Sequence, residues 1–137
     1  MNDSVPRLIE LSEIQHESGN ITVVEAGAHS SFAFKRVYYL HGLSAESERG
    51  SHAHHGLRQL MIAIAGQFRV RLTGPTFEET FVLDDPNVAL FIPPLTWRDL
   101  DQFSAGAICL VLASDVYDEA DYIRDYDEFL SLKDSAS

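Results

Sequence analysis

Between about residues 20 and 113 the chain is a succession of short β-branched or aromatic runs, each closed by Gly, Pro, Asn or Asp. Such runs restrict it to an all-β sandwich or barrel. Strands are expected at about "ITVVEA", "FKRVYYLHG", "LRQLMIAIA", "QFRVRLT", "EETFVLD", "VALFIPP" and "AICLVLAS". The joints suit antiparallel hairpins: Gly66 makes one tight turn, "TGPT" another, and "DDPN" precedes "VALFIPP". A compact β-barrel follows.

Beyond "LVLASD" the pattern changes. Tyr122, Tyr126, Phe129 and Leu130 recur at helical spacing, which predicts a C-terminal helix over about 115–132. Ser114 or Asp115 is the expected cap, and Asp118, Glu119 and Asp121 suit the positive end of its dipole. Residues 133–137 are small and polar, and fraying is expected there. At 137 residues the chain is one domain's worth, 1–137, with a real core.

The formal charge of -11 opposes nucleic acid and anionic membranes as partners. No apolar run approaches the length of a bilayer span. The start, "MNDSVPRLIELSEI", lacks the basic and apolar segments of a secretory signal, and the lone Cys109 lies in an apolar run suited to a buried strand. A cytoplasmic protein is expected. Arg36, Arg49, Arg58, Arg69, Arg71 and Arg98 still leave room for a local anion site.

The chemistry is concentrated in "ERGSHAHHGLRQ", residues 48–59. In an extended segment side chains alternate, so His52 and His54 share a face and His55 takes the other. The H-x-H pair resembles the metal motif of cupins, with His52, His54, Gln59 and Gly66 at the matching intervals. Gln59, however, offers an amide where that motif has a carboxylate, and "FIPPLTWRDLD" offers Arg98 where a further histidine belongs. A guanidinium has no lone pair to give, so no metal is expected. Two readings of the pair remain: hydrogen-bonded lining residues, or groups that move protons near neutral pH.

The segments "FKRVYYLHG", "RGSHAHHGLRQ", "GQFRVRL", "PPLTWRDLDQFS" and "LVLASDVYDEADYIRDYDEF" together resemble the cupin-type dTDP-sugar 3,4-ketoisomerases, the WxcM-like proteins, over nearly the whole chain. The resemblance implies a double-stranded β-helix (jelly-roll) barrel with a short C-terminal helix, usually as a homodimer, which an N-terminal strand able to pair with another subunit and the aromatic C-terminal segment fit. It implies an isomerase acting on dTDP-4-keto-6-deoxy-D-glucose, moving the ketone from C4 to C3 without a cofactor, for deoxyamino-sugar synthesis and surface polysaccharide. The alternatives are a nucleotide-sugar epimerase and a non-catalytic cupin that binds a sugar or other small ligand.

By the same resemblance, His54 matches the base that takes the C3 proton and His52 its partner. Arg49 matches a diphosphate-holding arginine, and Arg36 and Arg69 are further candidates for substrate contact. Gln59 is assigned either to a sugar hydroxyl or to orienting a histidine. Arg98 and Ser18 stand where some relatives carry histidine and a large or basic residue, and both are expected to border the sugar; Arg98 tilts the expected product toward gluco configuration. Trp97 and Tyr117 are read either as core or as packing beside sugar or base.

Overall fold

A computed structural model describes residues 3–136. Numbered in chain order, the strands are β1 (Arg7–Glu10), β2 (Ser12–Ile14), β3 (Ile21–Val23), β4 (Arg36–Leu40), β5 (Arg49–His54), β6 (Gln59–Ala65), β7 (Phe68–Thr73), β8 (Glu78–Leu83), β9 (Val88–Ile92), β10 (Trp97–Asp101), β11 (Ile108–Ala113) and β12 (Tyr122–Ile123). They form two five-stranded sheets, ordered β1-β9-β6-β11-β4 and β12-β5-β10-β7-β8, with β2 and β3 as a separate hairpin. All pairings between these strands are antiparallel. The all-β expectation therefore holds, and β1 extends the first sheet to residues well before 20, pairing with β9 of its own chain.

Strand alternation explains the layers. Met61 and Ala63 on β6, Val70 and Leu72 on β7, Leu90 and Ile92 on β9 and Leu100 on β10 point between the sheets into one core with Cys109 and Val111. The opposite face of β6 carries Leu60 and Ile62, which pack with Ala89 and Phe91 beneath Leu11 and Phe32 of the N-terminal segment. On the second sheet, Ala53 and Trp97 face outward onto Ile123 and Phe129. The N-terminal segment thus covers the outer face of the first sheet at its centre, so β6 and β9 read as nearly continuous apolar runs.

The C-terminal expectation needs correction. The helix, α1, spans Tyr126–Ala136, not 115–132. Asp125 supplies its cap, its Oδ1 accepting the N–H of Asp127 at 2.8 Å. Ser114 Oγ instead accepts the N–H of Arg58 at 3.0 Å and donates to Asp115. Residues 119–121 form one 3-10 turn capped by Asp118, and Tyr122, expected on the helix, lies in β12 opposite His54. Residues 133–136, expected to fray, are helical, and Ser137 lies outside the described residues. Phe129 is the fully buried anchor, its ring 5.6 Å from that of Trp97. Its burial stabilises the docked helix by about 2–3 kcal/mol.

Candidate active site

A cavity of about 440 Å³ opens between the sheets, lined by Arg36, Tyr38 and Leu40 from β4, Arg49, Gly50 and His52 from β5, Arg98 and Leu100 from β10, and Tyr122 and Arg124 beyond. Arg36, Tyr38 and Leu40 reach it because they alternate with Val37 and Tyr39, which are more than half exposed on the other face.

Arg49 and His52 are three residues apart, and in a regular strand they would face opposite ways. A β-bulge reverses that. Arg98 pairs with His52, Asp99 with Gly50 and Leu100 with Arg49, which leaves Ser51 without an opposing residue. Gly50 and Ser51 have φ of 85° and 56°, and Ser51 Oγ donates to Asp99 at 2.8 Å. The extra residue restores Arg49 to the cavity side, and the Gly50 carbonyl accepts a hydrogen bond from His52 Nδ1 at 3.0 Å.

The imidazoles of His52 and His54 meet edge to face, 4.9 Å between centroids, with the ring of Tyr122 5.1 and 4.3 Å from them. His54 is only 1% exposed; its Nδ1 lies 3.1 Å from Asp121 Oδ2, and its buried Nε2 has no partner among the described residues. Burial first, and then the charge of Arg98, pull His52 down to about 4 and His54 lower still. Both are neutral at pH 7. Burial also lowers Arg98, to about 10, which leaves it charged.

Of the expected site residues, the structure brings Arg36, Arg49, His52 and Arg98 to one cavity. His54 stands behind His52 and borders a second cavity of about 250 Å³, whose wall also includes Arg36, Tyr122, Asp115, Asp118 and Asp121. His52, expected as the partner, thus faces the larger chamber, and His54, expected as the base, does not line it. Gln59 is buried beneath it, donating to Tyr38 at 2.9 Å and accepting from Arg98 Nη1.

The other candidates fall outside. Trp97 faces away from the cavity because its neighbour Arg98 faces into it, and its ring packs 5.0 Å from that of Tyr126. Arg69 points outward from β7 and forms two hydrogen bonds to Asp101, at 2.8 and 2.7 Å. Ser18 lies in an exposed turn, its N–H on His16 Nδ1. Tyr117 is 58% exposed, its hydroxyl donating to Glu119, and lines neither cavity. Conversely, Tyr38, Tyr122, Arg124 and Asp121 were missed. Alternation with Arg36 in "RVYYL" was a usable signal for Tyr38, while the others depend on how the C-terminal segment folds back.

The donor set does not suit a metal. The Gln59 oxygen that would serve as third ligand already accepts from Arg98, whose buried guanidinium brings a positive charge to the same place. Among the described residues no group of three or more His, Cys, Asp or Glu is placed to hold an ion.

Residues 4–134 match the family model "FdtA: WxcM-like, C-terminal". The chain belongs to this family. FdtA-family similarity extends to the TDP-4-oxo-6-deoxy-alpha-D-glucose-3,4-oxoisomerase of Aneurinibacillus thermoaerophilus, 37% identical over 90% of this chain and 88% of that protein. Among solved structures, a histidine-to-asparagine mutant of the 3,4-ketoisomerase QdtA from Thermoanaerobacterium thermosaccharolyticum, in complex with TDP-4-keto-6-deoxyglucose, is similar with a TM-score of 0.92 and 37% identity, over 98% of this chain and 97% of that one. The WlaRB TDP-quinovose 3,4-ketoisomerase of Campylobacter jejuni is similar with a TM-score of 0.87 and 38% identity, over 92% and 97% of the two chains. The barrel and its C-terminal segment are thus the framework of FdtA-type proteins.

Proposed function

We propose that this chain is a 3,4-ketoisomerase acting on TDP-4-keto-6-deoxyglucose. The observation that carries the reading is the pair of touching imidazoles beside a chamber whose polar lining, besides His52, is four guanidinium groups, two tyrosines and Glu48. The C4 ketone acidifies the C3 proton, so a neutral base can remove it to form an enediolate, which is reprotonated at C4. His52 has the access this step requires, and we assign it the carbon base; His54, whose ring packs against it, is assigned as its partner in proton transfer. We assign stabilisation of the developing oxyanion to the charged guanidinium of Arg98 and the hydroxyl of Tyr38, whose oxygen already accepts from Gln59; both lining the chamber supports this. Arg49 and Arg36, neither ion-paired among the described residues, suit the diphosphate.

The finer parts of the reading are a gluco product, for which Arg98 is the support, and a homodimer, for which the exposed Val37 and Tyr39 on edge strand β4 are the support. A 3-keto product for amination in the cytoplasm, on a route to surface deoxyamino sugars, completes it. No helix among the described residues is long and apolar enough to cross a membrane.

The test is incubation with TDP-4-keto-6-deoxyglucose in deuterated water, followed by NMR. A 3-keto sugar with deuterium at C4 is expected, its couplings reporting the configuration. Tight TDP binding with no conversion would instead mean a binding module. His52→Asn is expected to abolish exchange at C3 while TDP still binds; if only His54→Asn does so, the base is His54.

A further inference from the structure

We propose that Asp121 is a positioning residue that holds His54 in the tautomer with its proton on Nδ1, keeping the Nε2 lone pair ready to receive a proton. This deepens the reading above and rests on it for the use to which that lone pair is put.

Both carboxylate oxygens of Asp121 are engaged. Oδ1 accepts the backbone N–H of Gly56 at 2.9 Å, while Oδ2 faces His54 Nδ1 at 3.1 Å. The backbone holds the group on the same strand: the Asp121 carbonyl accepts the N–H of His55 at 2.9 Å, and its neighbour Tyr122 is in register with His54. A carboxylate can only accept, so the proton in the bond to His54 belongs to Nδ1. The other ring nitrogen, Nε2, then carries a bare lone pair, and it is a buried side-chain atom that finds no partner among the described residues. An unsatisfied acceptor costs stability, and here it faces neither solvent nor a donor. When Nε2 takes up a proton, the imidazolium gains the Asp121 charge on its far side, and loss of that proton restores the starting tautomer.

The Gly56 N–H makes the idea testable by a single atom. In Asp121→Asn the amide oxygen must stay on Gly56, which turns the NH₂ toward His54 Nδ1 and forces the histidine proton onto Nε2. Nothing else need move.

The experiment measures the ¹⁵N chemical shifts of histidine-labelled wild-type protein and Asp121→Asn, with kcat, KM and the unfolding midpoint of each. The expected result is an Nδ1–H tautomer for His54 in the wild type and Nε2–H in the variant. With it, kcat falls at least about 10²-fold while KM changes by less than about threefold, as when a histidine is held in the wrong tautomer. An Nε2–H tautomer in the wild type, or an Asp121→Asn enzyme with kcat within about threefold of normal, overturns the proposal. The wild-type spectrum distinguishes the two tautomers even if the variant does not fold. The tautomer is read without substrate, so a switch seen in a chain that never converts TDP-4-keto-6-deoxyglucose would sink the proposed activity and sustain the role of Asp121.

Discussion

Arg98 and Gln59 are joined inside the barrel, guanidinium Nη1 to amide oxygen, and both are at most 2% exposed. The same amide donates to the Tyr38 hydroxyl, and a second guanidinium nitrogen donates to the Thr96 carbonyl at 3.0 Å. Gln59 is therefore the link that sets a cation and a phenol at fixed places on the cavity wall.

Gln59→Leu removes that link and leaves a buried guanidinium nitrogen without its acceptor. The expected cost is about 2–4 kcal/mol, read from urea unfolding. Arg98→Met in the same chain should recover much of it, because the charge and its lost partner disappear together. A double-variant cost equal to the sum of the two single-variant costs would show that the pair is not coupled.

Gly50→Ala should disrupt the bulge. The glycine has φ of 85°, and an added Cβ would lie 2.8 Å from the Arg98 carbonyl oxygen, closer than real contacts allow. A loss of about 2–3 kcal/mol is expected, with a fall in kcat/KM as Arg49 and His52 lose their common face. Wild-type activity and an unchanged melting temperature would contradict this.

Arg49→Ala tests the diphosphate assignment. Calorimetric titration with TDP should show binding weakened about 10- to 100-fold, while kcat at saturating substrate changes little. Arg49→Lys should recover only part, since an ammonium cannot form the two-pronged contact of a guanidinium. Unchanged TDP affinity in the alanine variant would exclude Arg49 from the site.

Acid should destabilise the fold through His52. Its folded value of about 4 lies below the ordinary 6.5, so between these pH values the unfolded chain binds more protons. Stability is then complete above about pH 6.5 and declines as pH falls toward 4, by roughly 2–3 kcal/mol from this group. His54 acts in the same direction. Melts between pH 7 and 4 measure the decline, and the acid limb of kcat/KM should likewise sit well below 6.5. A limb at 6.5 would mean that neither His52 nor His54 controls activity.

Much of the barrel was legible because a strand's alternation is local: "LMIAIA" and "VALFI" announced buried strands directly. The shared side of His52 and His54 was legible for the same reason. The placement of Arg49 beside His52 was not predictable by alternation, since it depends on an unpaired Ser51. Tyr122, Tyr126 and Phe129 imitated a helical stripe, yet Asp125 starts the helix only after Tyr122 has joined β5. The contact of Asp121 with His54 spans 67 positions, and no local pattern encodes it. Trp97 takes the core alternative of its two readings, because a strand cannot turn two successive residues inward and its neighbour Arg98 faces the cavity.

The buried Arg98 also bears on how the protein is supplied. A charge carried by a side chain arrives with translation, at a place set by the backbone on which it grows. It cannot be stripped by a chelator, exchanged for a competing ion or lost in a starved cell, so this part of the chamber is furnished as soon as the barrel closes.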